Sequence, residues 1–78
     1  MIKLKRLELA LEDLNCACEL EPISKNYFSR AGLYSDLGQY QSAVDDLTYA
    51  LENDDSSNFE FKIRSYYRRA VVYFDLGI

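Results

Sequence analysis

Tyr27-Phe28-Ser29-Arg30-Ala31-Gly32-Leu33-Tyr34-Ser35-Asp36-Leu37-Gly38 decides the reading of this chain, because its pattern returns as Tyr66-Tyr67-Arg68-Arg69-Ala70-Val71-Val72-Tyr73-Phe74-Asp75-Leu76-Gly77. The aromatics, the Arg-Ala pair and the closing Asp-Leu-Gly keep the same internal spacing. A second pattern alternates with the first: Ala10-Leu11-Glu12-Asp13-Leu14, then Ala17-Cys18-Glu19, answers Ala43-Val44-Asp45-Asp46-Leu47, then Ala50-Leu51-Glu52. Two motifs alternating every few tens of residues are the signature of a stacked repeat array, in which no unit buries its apolar face alone. Such arrays usually offer a surface for another protein and rarely a place where bonds are made.

The bulk numbers agree. At 78 residues, 49% apolar and 28% charged, the chain has the balance of one small globular unit with a barely sufficient core. One Pro and three Gly leave long uninterrupted stretches suited to helices. A net charge of -4 argues against a general nucleic-acid binder, whose affinity rests on many Lys and Arg contacts to phosphate. Lys3, Lys5 and Arg6 are basic, but Glu8, Glu12 and Asp13 keep them from growing into a longer basic stretch. No apolar run has the form of a signal peptide or a bilayer span, so no membrane role and a cytoplasmic location are expected. The absence of His removes the commonest general base and metal ligand. Cys16 and Cys18 point about 200° apart on a helix and do not jointly grip a metal. Cys18 reads as a small core residue and Cys16 as a surface one. No enzyme, no cofactor and no metal are expected, since neither a nucleophile–base pairing nor a phosphate-cradling Gly loop is visible.

Spacing predicts an all-α chain of about four helices. The first runs from about Lys3 to Leu20, with Leu7, Ala10, Leu11, Leu14, Ala17 and Cys18 on one face, and Pro22 stops it. Ser24 is the expected N-cap of the second, whose stripe is Tyr27, Ala31, Tyr34 and Leu37. Gly38 supplies the left-handed turn that ends it. The third, from about Tyr40 to Asn53, carries Tyr40, Ala43, Val44, Leu47, Ala50 and Leu51 on one side. After a polar breaker at 54–58, Ser57 and Glu60 have capping-box spacing and start the fourth near Asn58. Phe59, Ile63, Tyr66, Ala70 and Tyr73 are read as its apolar face. Small residues at Ala10, Ala17, Ala31, Ala43, Ala50 and Ala70 are expected where helices cross closely.

From Tyr27 to Leu51 the chain resembles the tetratricopeptide repeat (TPR), helix pairs of about 34 residues. Tyr27, Ala31, Tyr34, Gly38, Tyr40, Ala43, Leu47 and Ala50 stand where that motif has aromatic, small, aromatic, glycine, aromatic, small, bulky and small residues. Pro22 resembles the proline that closes a unit. The resemblance implies antiparallel helical hairpins stacked as a short right-handed superhelix. Residues 1–22 would be the second helix of one repeat, 24–55 a complete repeat, and 58–78 the first helix of another, in a segment of a longer array. The link from Ala50 to Ala70 is about five residues longer than the motif, which is read as a longer loop and an extra helical turn carrying Phe59 and Phe61.

The resemblance also implies a partner groove lined by the first helix of each pair. Carried over residue by residue, it comprises Lys25, Phe28, Ser29, Gly32 and Ser35, then Arg64, Tyr67, Arg68, Val71 and Phe74. Arg64 and Arg68 match two basic positions with which chaperone-binding members clamp a terminal carboxylate, but Ser29 replaces the Asn of that clamp. The plainer reading of the two arginines, as solvated face residues, stands first; an acidic or carboxylate-bearing peptide held between them is the functional one. Phe28, Tyr67 and Phe74 are read either as groove anchors or as residues packed on a neighbouring helix. Glu12-Asp13, Asp45-Asp46, Glu52, Asp54 and Asp55 are read as a solvated acidic face, because adjacent helical residues diverge by about 100°.

Two further functions compete. An RNA-reading helical repeat is disfavoured by the acidic balance. A self-assembly unit is favoured by two apolar stripes without an assigned neighbour, Leu7, Leu11 and Leu14 at one end and Tyr66, Ala70 and Tyr73 at the other. These ends are complementary in type, so head-to-tail association of copies is the alternative to peptide binding, unless the chain is cut from a longer array.

Overall fold

The computed structural model describes residues 2–54 and 59–77, with side chains from residue 5 onward. Four helices follow in order: α1 (Ile2–Leu20), α2 (Ser24–Asp36), α3 (Tyr40–Glu52) and α4 (Phe59–Leu76). There is no strand among the described residues. Consecutive helices pack on one another, most closely α2 on α3. The result is a slab of 40 × 33 × 17 Å, an all-α stack of helical hairpins of the kind the repeat pattern predicts.

Tight turns set the hairpins. Gly38 and Gly77 both take φ 80, the left-handed region that costs a side chain dearly. At α2 this closes a full Schellman turn: Gln39 N–H donates to Tyr34 O at 2.8 Å and Gly38 N–H to Ser35 O at 3.1 Å. The repeated Asp-Leu-Gly is therefore a twice-used stop signal. Between α1 and α2, Asn26 Nδ2 donates to Glu21 O at 2.9 Å and to Ala17 O at 3.4 Å, pinning the turn around Pro22. Tyr49 Oη donates to Pro22 O at 3.3 Å from α3.

A slab this thin has room for only a narrow core. Ala31, Ala43, Leu47, Ala50 and Val72 are fully buried, with Val44 and Cys18 nearly so, and Phe28, Tyr34, Tyr40 and Leu76 close over the central cluster. The alanines at 31, 43 and 50 let α2 and α3 approach closely, while Leu47 fills the space between them. Cys16 is exposed and Cys18 buried, as expected.

The structure departs from expectation at the start of α2 and along α4. Ser24 is the first helical residue and not the cap; Ile23 holds that position in extended conformation, without a side-chain cap. Ser24 is instead tucked in, its hydroxyl buried without a hydrogen-bond partner. α3 ends at Glu52, and Asn53 caps its C-terminus through N–H donation to Tyr49 O. The extra turn of α4 is present from Phe59, but the Ser57 side of the capping box lies outside the described residues.

The largest change is the face α4 buries. Phe59, Ile63, Tyr66, Ala70 and Tyr73 are all exposed. α4 meets α3 through Ser65, Arg69, Val72 and Leu76, a line spaced at three and four residues that contains only two apolar side chains. These positions repeat Asn26, Arg30, Leu33 and Leu37 of α2. Apolar spacing points to the richer stripe; the fold buries the poorer one, because small Ser65 admits the close crossing.

Ser65 is fully buried and its hydroxyl has no partner among the described residues. An unmade hydrogen bond at a buried polar group costs about 1–3 kcal/mol. Ser65→Ala removes the hydroxyl with almost no change of shape, so its urea midpoint is expected to equal or exceed that of the wild type. A clear fall would reveal a hydrogen bond to this hydroxyl.

Candidate partner-binding surface

Four of the residues expected to line the groove do come together. Phe28 of α2 and Arg64, Tyr67 and Arg68 of α4 bound an open depression of about 450 Å³, joined by Ile63, which spacing alone places on the apolar face. Phe28 lies against Phe61 with ring centroids 5.3 Å apart and planes tilted by 53°, and the Arg68 guanidinium lies 5.5 Å from the Phe28 centroid, so Phe28 packs on α4 while edging the depression. Tyr67 is 73% exposed and available for contact. Arg68 also passes beside Gly32, where a side-chain carbon would stand 3.5 Å from its Nη1, an ordinary van der Waals contact.

Other expected groove residues lie apart from this depression. Lys25 and Ser29 are exposed on α2, and the Ser29 hydroxyl donates to Lys25 O at 3.1 Å within its own helix. Ser35 is half-buried, and Val71 and Phe74 are exposed on α4, with Phe74 at 82%. Arg64 donates to Glu60 at 3.0 Å, one turn back along α4. Both partners are largely exposed, so the pair holds little stability and leaves Arg64 able to exchange partners.

A second constellation was not anticipated. Arg30 bridges three helices: Nε and Nη2 each donate at 2.8 Å to the two carboxylate oxygens of Asp46 on α3, and Nη1 donates at 3.1 Å to Asn15 Oδ1 on α1. Tyr27 and Tyr34 flank the guanidinium, their centroids 5.1 and 5.5 Å away, and Tyr27 lies against Tyr49 at 4.0 Å. Asp46 therefore leaves the solvated acidic face: it is 5% exposed and paired. The side-chain hydrogen bond to Asp46 raises the Arg30 pKa above its ordinary value, although burial works against it. Burial also raises the thiol of Cys18, with Arg30 pulling the other way, so Cys18 stays a neutral core thiol. The phenol of Tyr27 is raised by burial and by its neighbour Tyr49. The signal in the sequence was the Arg-Ala pair repeated in both motifs, together with Asp at the same place in both acidic pairs.

The equivalent cluster on α4 is half-made. Arg69 donates to Thr48 Oγ1 at 2.9 Å on α3, as Arg30 does to Asn15 on α1, and sits 5.6 and 5.9 Å from the Tyr66 and Tyr73 centroids. Among the described residues no carboxylate pairs with it. Seven large apolar side chains stand exposed on this one helix: Phe59, Ile63, Tyr66, Tyr67, Val71, Tyr73 and Phe74. A further depression of about 390 Å³, at the junction of α1 with the α2–α3 turn, is lined by Glu8 and Glu12 beside Leu11, Asn15, Leu37 and Gln39.

Among the described residues no group of three Cys, Asp or Glu side chains could hold a metal ion, and no helix is long and apolar enough to cross a membrane. Compared with protein-family models, residues 24–56 match the tetratricopeptide repeat. No curated protein and no solved structure shows significant similarity to the chain.

Proposed function

We propose that this chain, which carries a tetratricopeptide repeat at residues 24–56, holds an acidic or carboxylate-bearing peptide against α2 and α4. Repeats of this family serve in general as protein-interaction scaffolds and not as enzymes. One observation carries the finer reading: Arg64 and Arg68 flank an open depression whose remaining wall is Phe28, Ile63 and Tyr67. Guanidinium groups suit bidentate contact with carboxylates. Exposed aromatic and aliphatic walls give such a peptide apolar contact as well. Lys25, Ser29 and Phe74 are exposed apart from the depression, so only a longer peptide would reach them. Like charges at i,i+4 cost about 0.2–0.5 kcal/mol, which Glu60 offsets until a ligand carboxylate takes its place.

The test uses a short fluorescent Asp/Glu peptide with a free terminal carboxylate, read by anisotropy. Wild type should bind it, more weakly as salt rises, because exposed charge pairs are screened. The Arg64→Glu, Arg68→Glu double variant should lose about tenfold or more in affinity, the equivalent of about 1.4 kcal/mol, with unchanged helical circular dichroism. Undiminished binding in a folded double variant would move the site away from these arginines.

A further inference from the structure

The two first-helix motifs are alike in sequence, yet one is covered and the other is open. On α2, Tyr27, Arg30, Ala31 and Tyr34 receive α3: Ala31 is fully buried, and Arg30 closes on Asp46. On α4 the matching residues are Tyr66, Arg69, Ala70 and Tyr73. Here Ala70 is exposed, Tyr66 is 56% exposed, and the arginine has its tyrosines and its hydroxyl partner on α3 but no described carboxylate. The face is thus a socket with a known shape of plug, and α3 is that plug.

The chain holds a second helix of the same pattern. α3 docks on α2 through Ala43, Asp46, Leu47 and Ala50. α1 carries Ala10, Asp13, Leu14 and Ala17 at the matching positions. Its other face is already used as α3's is: Asn15 meets Arg30, and Thr48, its counterpart, meets Arg69. Asp13, the counterpart of buried Asp46, is exposed, and the three apolar residues beside it are only half-buried. Cys16 stands where α3 has Tyr49 and would meet Tyr66, a favourable sulfur–aromatic contact.

We propose that α1 of a second copy docks on α4, with its Asp13 closing on Arg69 between Tyr66 and Tyr73, remaking between molecules the hairpin that α2 and α3 form within one. An arginine already oriented by Thr48 and two rings loses little freedom when the carboxylate arrives, and bidentate pairing fixes the register of the incoming helix. The apolar stripe of α1 covers Ala70 and the two tyrosines. The contact is heterologous: each copy offers one plug and one socket, so association continues into open chains unless the rotation closes a ring. This inference is independent of the peptide groove, which lies on another face of α4.

Charge exchange tests it. Sedimentation velocity of the wild type should show mass rising with concentration. Asp13→Arg places two arginines at every contact, and Arg69→Asp places two aspartates there, so each variant alone should remain monomeric. Mixed in equal amounts they should associate again. One kind of junction then sets the new arginine on α1 of the first variant against the new aspartate on α4 of the second, and the next kind restores the native Asp13–Arg69 pair. Should Arg69→Asp lose helicity, Ala70→Glu on the exposed alanine replaces it as the socket-blocking variant, since the fully buried Ala31 leaves no room at the matching place. A wild type that is monomeric at every concentration, association that persists in Asp13→Arg, or a folded mixture that fails to associate each overturns the proposal.

Discussion

Asp46→Ala is expected to remove a large part of the chain's stability. A domain of this size has about 4–12 kcal/mol of stability in hand. Removing one partner of a buried ion pair costs about 3–5 kcal/mol, because the other charge is left desolvated. Arg30 has 19% of its side chain exposed and Asp46 7%, so water can rescue little of the guanidinium. With the carboxylate gone, Asn15 Oδ1 is the one remaining side-chain acceptor bonded to Arg30 among the described residues. Urea denaturation followed by circular dichroism should show the midpoint collapsing. Asp46→Asn, which keeps a carbonyl acceptor of the same shape, should fall less. The double variant Arg30→Met, Asp46→Leu should recover much of the loss, since replacing both charges with packed apolar groups is often neutral or favourable. If Asp46→Ala melts within about 0.5 kcal/mol of the wild type, the size of effect expected of surface substitutions, then Arg30 is better hydrated than its burial implies.

Leu47→Ala is the second large effect, at about 2–5 kcal/mol of destabilisation. Leu47 is the largest fully buried side chain, wedged among Ala31, Ala43, Val44 and Val72. Two of these neighbours are alanines, whose short side chains cannot lean in, and two are valines, stiff at χ1, so much of the cavity is expected to stay open. Leu20, 83% exposed, is the matched control: Leu20→Ala should change the midpoint by no more than about 0.5 kcal/mol. Equal losses at the two positions would mean that the core does not converge on Leu47.

Much of the architecture was legible in the residues because it depends on local rules. Asp-Leu-Gly ends α2 and α4 because only glycine takes φ 80 without strain, and that preference acts before any tertiary contact forms. Pro22 parts α1 from α2 for an equally local reason. The alanines at 31, 43 and 50 mark the close crossing because only small side chains permit it, and all three are fully buried. The Glu60–Arg64 pair follows from helical spacing alone. For the candidate site, the residue types and the helix that carries them could be read, since Arg64, Tyr67 and Arg68 recur on one face.

Sequence by itself therefore determined the helix count, the turns, the repeat and the alanine-rich seam between α2 and α3, all of them set by backbone preference or by contacts within a few residues. Tertiary structure alone decided which stripe of α4 is buried, whether a carboxylate is solvated or paired, and which groove residues share one depression. Asp45 and Asp46 are identical letters side by side, yet 46 faces Arg30 across the helix pair while 45 faces solvent and accepts from Gln41. Tyr66 and Tyr27 read alike too, but Tyr27 lies against Tyr49 of α3 and is half-buried, while Tyr66 is exposed. Periodicity fixes where a side chain points around its own axis; what stands opposite depends on how whole helices are placed, and that is set by the sum of all their contacts.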